Sequence, residues 1–80
     1  METVVPGHAG SVTCVVHLGG GWLATSSRDT TVRIWSVRGI LVKCQLVLRG
    51  HSDHVDAVAA AGQAKLASAS DDKTVRIWRL

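Results

Sequence analysis

Phenylalanine and tyrosine are absent from this chain of 80 residues, and proline and methionine occur once each. Without Phe or Tyr, no aromatic platform is available for stacking bases beyond three Trp. One Pro beside eight Gly excludes collagen-like and proline-rich low-complexity chains. Charged residues are scarce at 19% and hydrophobic ones reach 46%, which argues against intrinsic disorder. Uninterrupted apolar runs are only a few residues long, so no transmembrane helix is expected. The start, METVVPGHAG, has no basic stretch followed by an apolar one, so no signal peptide is expected. Two cysteines, Cys14 and Cys44, are too few for a disulfide framework. Both read as free, buried thiols in a reducing compartment. The expected setting is intracellular, the cytoplasm first and the nucleus as the alternative.

What is present is mildly basic. The formal charge is +3, and the pI of 9.4 raises nucleic acid as a partner. The placement of the charges opposes it. Arg28, Arg33, Arg38, Lys43, Arg49, Lys65, Lys73, Arg76 and Arg79 are spread along the chain without a cluster. They read as solvated surface charge. At 8.5 kDa the chain allows one small domain at most. A chain this short buries roughly 60% of its unfolded surface, so a lone core is marginal.

An internal repeat dominates. Gly7-His8 recurs as Gly50-His51, Leu23-Ala24 as Leu66-Ala67, Asp29 as Asp72, and Thr31 to Trp35 as Thr74 to Trp78. Every pair is 43 residues apart without a gap, and segments 7–35 and 50–78 share 14 of 29 residues. Each unit reads as short strands separated by turns. In the first unit, strands are expected over 11–18, 22–26, 31–37 and 41–48. In the second they fall near 54–60, 64–69 and 74–79. Gly19-Gly20-Gly21 reads as a hairpin turn between two strands. No Lys-Ser/Thr follows it and no helix starts there, so it is not a phosphate loop. Ser27 to Thr30 carries turn chemistry, since Asp29 can bond the backbone ahead of it. Val32 and Ile34 share one face, and Arg33 takes the other. The alanines after Val58 favour helix by propensity. Their register with Val15 to Leu18 favours a strand.

The Gly-His pair, the S-x-D-x-T-V-R-I-W run and the repeat length resemble the WD-repeat family of β-propellers, whose period is about 40–45 residues. The resemblance covers 7–36 and 50–79, with 41–49 as the connecting outer strand. One departure stands out. The Asp that usually follows the Trp is Ser36 in one unit and Arg79 in the other. The implied fold is all-β, with two four-stranded antiparallel blades of a propeller completed by further copies or by a larger protein. Residues 1–37 would hold a leftover outer strand (2–5) and the first three strands. Residues 38–80 would hold the outer strand of the first blade and the second unit's three strands.

The resemblance also implies two structural hydrogen-bond tetrads: His8, Thr25, Asp29 and Trp35, then His51, Ser68, Asp72 and Trp78. The indole N–H can only donate. A hydroxyl accepts it and donates to one imidazole nitrogen, and the other imidazole N–H donates to the Asp. Such a chain can be buried without orphan groups. Ser, His and Asp are equally the residues of a hydrolase triad. Here the hydroxyl would be held by an indole, and no G-x-S-x-G elbow is present. No catalytic residue and no enzyme activity are expected. His51-Ser52-Asp53-His54 has an H-x-x-H spacing, but His51 is taken by the tetrad and the cysteines lack paired zinc spacing. No metal and no cofactor are expected, and His54 reads as a surface residue.

Function is then expected on the surface. The family's usual docking face implies Ser11, Thr13, Arg28, His54, Asp56 and Asp71. Trp22, matched by Lys65, reads as a half-buried strand residue rather than an exposed anchor. The expected function is a non-catalytic protein–protein interaction scaffold, assembling by blade stacking and outer-strand exchange. Its partners would be other proteins, including copies of itself or further WD blades, with no membrane and no small-molecule substrate. One alternative is a structural piece of a larger propeller with no partner surface. The other is a basic propeller contacting nucleic acid. Propellers have about four to eight blades, so three or four copies of a two-blade chain could close a ring.

Overall fold

The computed structural model describes residues 4–80. It contains seven strands: β1 (Val12–Gly19), β2 (Trp22–Ser27), β3 (Val32–Arg38), β4 (Leu41–Leu48), β5 (Val55–Ala60), β6 (Lys65–Ser70) and β7 (Val75–Arg79). They form one antiparallel sheet in the order β1-β2-β3-β4 and a second in the order β5-β6-β7. Each sheet is a meander of neighbouring strands, as short turns between alternating strands dictate. The alanine stretch after Val58 is strand, not helix, because β6 pairs along it.

Turn chemistry sets the hairpins. Gly19, Gly20 and Gly21 all have positive φ, which lets the chain reverse within three residues. Ahead of β3 and β7, Thr30 (φ 75°) and Lys73 (φ 70°) adopt the left-handed conformation. Both follow a framework Asp whose carboxylate accepts the amide of the residue after them. β1 and β5 carry a bulge at the same register, between Val12 and Cys14 and between Val55 and Ala57. The bulged residues are Thr13 and Asp56. A bulge bends the strand and re-aims the side chain it carries.

The core lies between the blades. Ala24, Val32 and Ile34 from the first sheet meet Val55, Val58 and Leu66 from the second, with Cys14, Val16, Leu18, Leu48 and Trp78 packed around them. Strand alternation puts Val32 and Ile34 on one face, and the bulge at Asp56 brings Val55 and Val58, three apart, onto one face as well. Two side chains of the first blade also donate to carbonyls of the second. Thr13 Oγ1 lies 2.5 Å from Val55 O, and Cys14 Sγ lies 3.7 Å from Val58 O. The Thr13 hydroxyl is in turn 2.8 Å from Ser26 Oγ.

Both cysteines are free, but only Cys14 is sheltered; Cys44 is exposed. The expectation of two buried thiols is corrected at both positions: Cys14 is only half-buried at the edge of the inter-blade core, and Cys44 sits on β4, the outermost strand of its blade. Of the expected leftover strand at 2–5, residues 2 and 3 lie outside the described residues. Val4 and Val5 are exposed and outside any strand. The second sheet has three strands among the described residues, and the outer edge of β7 has no strand beside it there.

Candidate functional site

The first blade gathers His8, Thr25, Asp29 and Trp35 from the loop before β1, from β2, from the turn before β3 and from β3 itself. Trp35 Nε1 donates to Thr25 Oγ1 at 2.8 Å, and Thr25 Oγ1 lies 2.6 Å from His8 Nε2. His8 Nδ1 lies 2.9 Å from Asp29 Oδ2. The second blade repeats the chain. Trp78 Nε1 donates to Ser68 Oγ at 2.8 Å, Ser68 Oγ lies 2.7 Å from His51 Nε2, and His51 Nδ1 lies 2.8 Å from Asp72 Oδ2. With the carboxylate ionised, Nδ1 carries the hydrogen and Nε2 accepts from the hydroxyl. Each imidazole also meets its Trp edge-on, at ring-centroid distances of 6.4 and 6.3 Å.

The carboxylates anchor this chain to the backbone. Asp29 accepts the amides of Ala9 (3.0 Å) and Thr31 (2.9 Å), and Asp72 accepts those of Ser52 (3.0 Å) and Thr74 (2.9 Å). The Thr31 and Thr74 hydroxyls donate to the same carboxylates. Burial pushes the Asp29 carboxyl up, but the bonds from Thr31, His8 and Ala9 outweigh it and hold the carboxyl well below the usual range. Asp72 is held down first by the Thr74 hydroxyl, against burial, and then by His51 and two amides.

Gly7 and Gly50 have a role that spacing alone did not reveal. A Cβ at Gly7 would overlap the Trp35 ring, and one at Gly50 would crowd Arg76 and Trp78. The glycine lets the backbone before each His lie against its Trp. Arg76 lies over Trp78, 6.0 Å from the ring centroid, within cation–π range.

The arrangement leaves little for nucleophilic chemistry. The Ser68 hydroxyl is buried, accepts the indole N–H and faces the imidazole. His51 and His54 do not converge: His51 is buried on Asp72, and His54 Nδ1 lies 3.9 Å from Asp71 Oδ2. Among the described residues, Asp53, His54 and Asp71 do converge, with ligand atoms all within 4.8 Å. Asp53 was missed from sequence because its neighbour Asp71 is remote in the chain.

The residues expected on a docking face fall into two groups. Ser11 and Arg28 are exposed and adjacent, since Arg28 N donates to Ser11 O at 2.9 Å. His54 and Asp71 are joined the same way, by Asp71 N to His54 O at 3.0 Å. Asp56 is exposed, and its hydrogen bond with Asp71 raises its carboxyl above the ordinary range. Thr13 stands apart, its hydroxyl engaged between the blades. Trp22, the first residue of β2, is in a strand as expected but exposed rather than half-buried, at 39%.

Two stacked antiparallel meanders, each locked by an indole-hydroxyl-imidazole-carboxylate chain, define a pair of β-propeller blades. The family described as WD domain, G-beta repeat matches residues 1–36 and 42–79. The chain belongs to the WD-repeat family and carries two tandem repeats. No curated protein matches the chain as a relative.

Proposed function

We propose that the chain is a non-catalytic scaffold that binds other proteins through the end of each blade where the loop before the first strand meets the turn before the third. The carrying observation is a division of labour among the polar residues. His8, Thr25, Asp29, His51, Ser68 and Asp72 are consumed in the two internal chains. Ser11 with Arg28, and His54 with Asp71, are left at the surface, each pair joined by a backbone bond, and Asp56 is exposed beside Asp71. Arg28 offers a cation, and Asp53, Asp56 and Asp71 offer carboxylates, so the blades favour partners of opposite charge pattern. The scaffold works within a larger ring, built by blade stacking and outer-strand exchange.

The test is site-specific photo-crosslinking. A crosslinker at residue 28 or 71 should capture proteins that one at Gln45, on the outer strand, does not. Equal capture at all three positions overturns the docking face. A purely structural role is the second reading, favoured by the open apolar faces of both blades. The positive charge favours a third, and tight, salt-dependent binding to random RNA or DNA would establish it over protein scaffolding.

A further inference from the structure

The joint between the two blades is made by two different faces. The first blade contributes Ala24, Val32 and Ile34, and the second contributes Val55, Val58, Leu66 and the flank of Trp78. Each blade also carries the other face, turned outward. The repeat places the same residues at seven positions of these outward faces as on the buried ones. Ala67, Val75 and Ile77 stand on the open side of the second blade where the first has Ala24, Val32 and Ile34. Val12, Val15, Leu23 and Trp35 stand on the open side of the first blade where the second has Val55, Val58, Leu66 and Trp78. All seven positions hold the same residue in both repeats.

The valines and isoleucines differ sharply in exposure, whereas Trp35 is itself buried, at 7%. Val32 and Ile34 are 0% and 2% exposed, and Val75 and Ile77 are 67% and 59%. Val55 and Val58 are 0% and 6% exposed, and Val12 and Val15 are 57% and 60%. A hollow of about 460 Å³ lies on the open face of the first blade, lined by Val12, Leu23, Thr25, Trp35, Val37 and Val42 among others. An apolar surface of this kind marks an interaction site.

We infer that the second blade of one copy seats on the first blade of another, head to tail, placing Ala67, Val75 and Ile77 against Val12, Val15, Leu23 and Trp35. The occupant is a second copy because the chain already contains the same pairing of residues, made and packed, between its own blades. The inference rests on the scaffold reading above and names what completes its ring. A head-to-tail contact leaves one donor face and one acceptor face free at the ends, so it continues until the ring closes.

The repeat is not identical along the inner strand, and the differences have a direction. Asp56 occupies the bulge that Thr13 occupies in the first blade. In the joint inside the chain, Thr13 donates to Val55 O. At the joint between copies the corresponding pair is Asp56 and Val12 O, and an ionised carboxylate cannot donate. Ala57, Ala59 and Ala61 replace Cys14, Val16 and Leu18, so this joint is also less filled. The joint between copies is therefore weaker than the one within the chain, and Asp56 is the residue that sets how weak.

Sedimentation velocity over a concentration series tests this. The wild-type chain should sediment as a discrete multiple of 8.5 kDa that dissociates on dilution. Val15→Lys and Ile77→Lys, both at exposed positions, should each remain single chains with unchanged circular dichroism. Mixed in equal amounts, they retain one good face apiece and should form a species of about twice the mass. Asp56→Thr should shift dissociation to a concentration about tenfold lower, through the restored hydrogen bond and the removed charge. The inference is overturned if the wild-type chain stays single at every concentration, or if the two Lys variants assemble as it does. Either result leaves the docking-face crosslinks free to stand or fall separately.

Discussion

The two blades agree in their polar interior and disagree in their apolar surroundings. Corresponding hydrogen bonds along the two tetrads differ by no more than 0.1 Å. Yet identical valines and isoleucines are core in one blade and surface in the other, and Leu23 is half-buried where Leu66 is fully buried. The hydrogen-bond chain is complete within one repeat, so it needs no neighbour. Burial is a property of two faces together, so the same residue changes role with what stands beside it. Local chemistry fixes the blade; stacking fixes the core.

The sharpest way to break this comparison is to truncate a matched leucine. Leu66→Ala should cost about 2–5 kcal/mol, as expected for a fully buried side chain. Leu23→Ala, measured by chemical denaturation at a dilution where chains are single, should cost about 1 kcal/mol. Equal losses would mean that stacking does not distinguish the faces. Removing the indole donor should, in contrast, treat the blades alike. Trp35→Phe and Trp78→Phe keep most of the apolar area but strand a hydroxyl, and each should cost about 1–3 kcal/mol by thermal melting. A melt unchanged in both variants would dissolve the hydrogen-bond chain as a source of stability.

Acid should also act on both blades through the same groups. Asp29 and Asp72 titrate lower in the folded chain than in the unfolded one, whose carboxyls titrate at about 3.9. The stability they supply is full above that value and drains away as pH falls toward and through the folded one. Asp29→Asn with Asp72→Asn should lower stability at neutral pH and flatten its decline below about pH 4. A pH–stability curve equally steep in the double variant would assign acid sensitivity elsewhere. The smallest effect concerns backbone strain. Thr30→Gly and Lys73→Gly should each raise stability by about 0.5–1 kcal/mol, more at the β-branched Thr30. A fall in melting temperature would show that the side chain, not its conformation, matters there.

Much of this molecule was legible in its residues. Alternation and turn chemistry placed all seven strands to within a residue, because each strand lies between strong breakers such as Gly19 to Gly21. The tetrad partners were legible only through the resemblance to the WD-repeat family, carried onto the matching positions of the two repeats. Other features left no local mark. The bulge at Thr13 and Asp56 carries no glycine to announce it. The exposure of Cys44 follows from its strand being outermost, which is a fact of sheet order rather than of the LVKCQLVL stretch. Asp53 joins His54 and Asp71 only once the turn before β7 folds back beside the loop before β5.

The tetrads reach from the loop before the first strand to the third strand of their own repeat, and no further. Each blade thus closes its own polar circuit over a short stretch of chain, whereas contact with the other blade comes only after a second stretch has been laid down. In terms of cooperativity, the blade is the natural unit of opening. Amides of β5, β6 and β7 should exchange with solvent hydrogen as one group, with those of β1, β2 and β3 as another. The first group, with no outer strand beside β7 among the described residues, is the one that opens more readily.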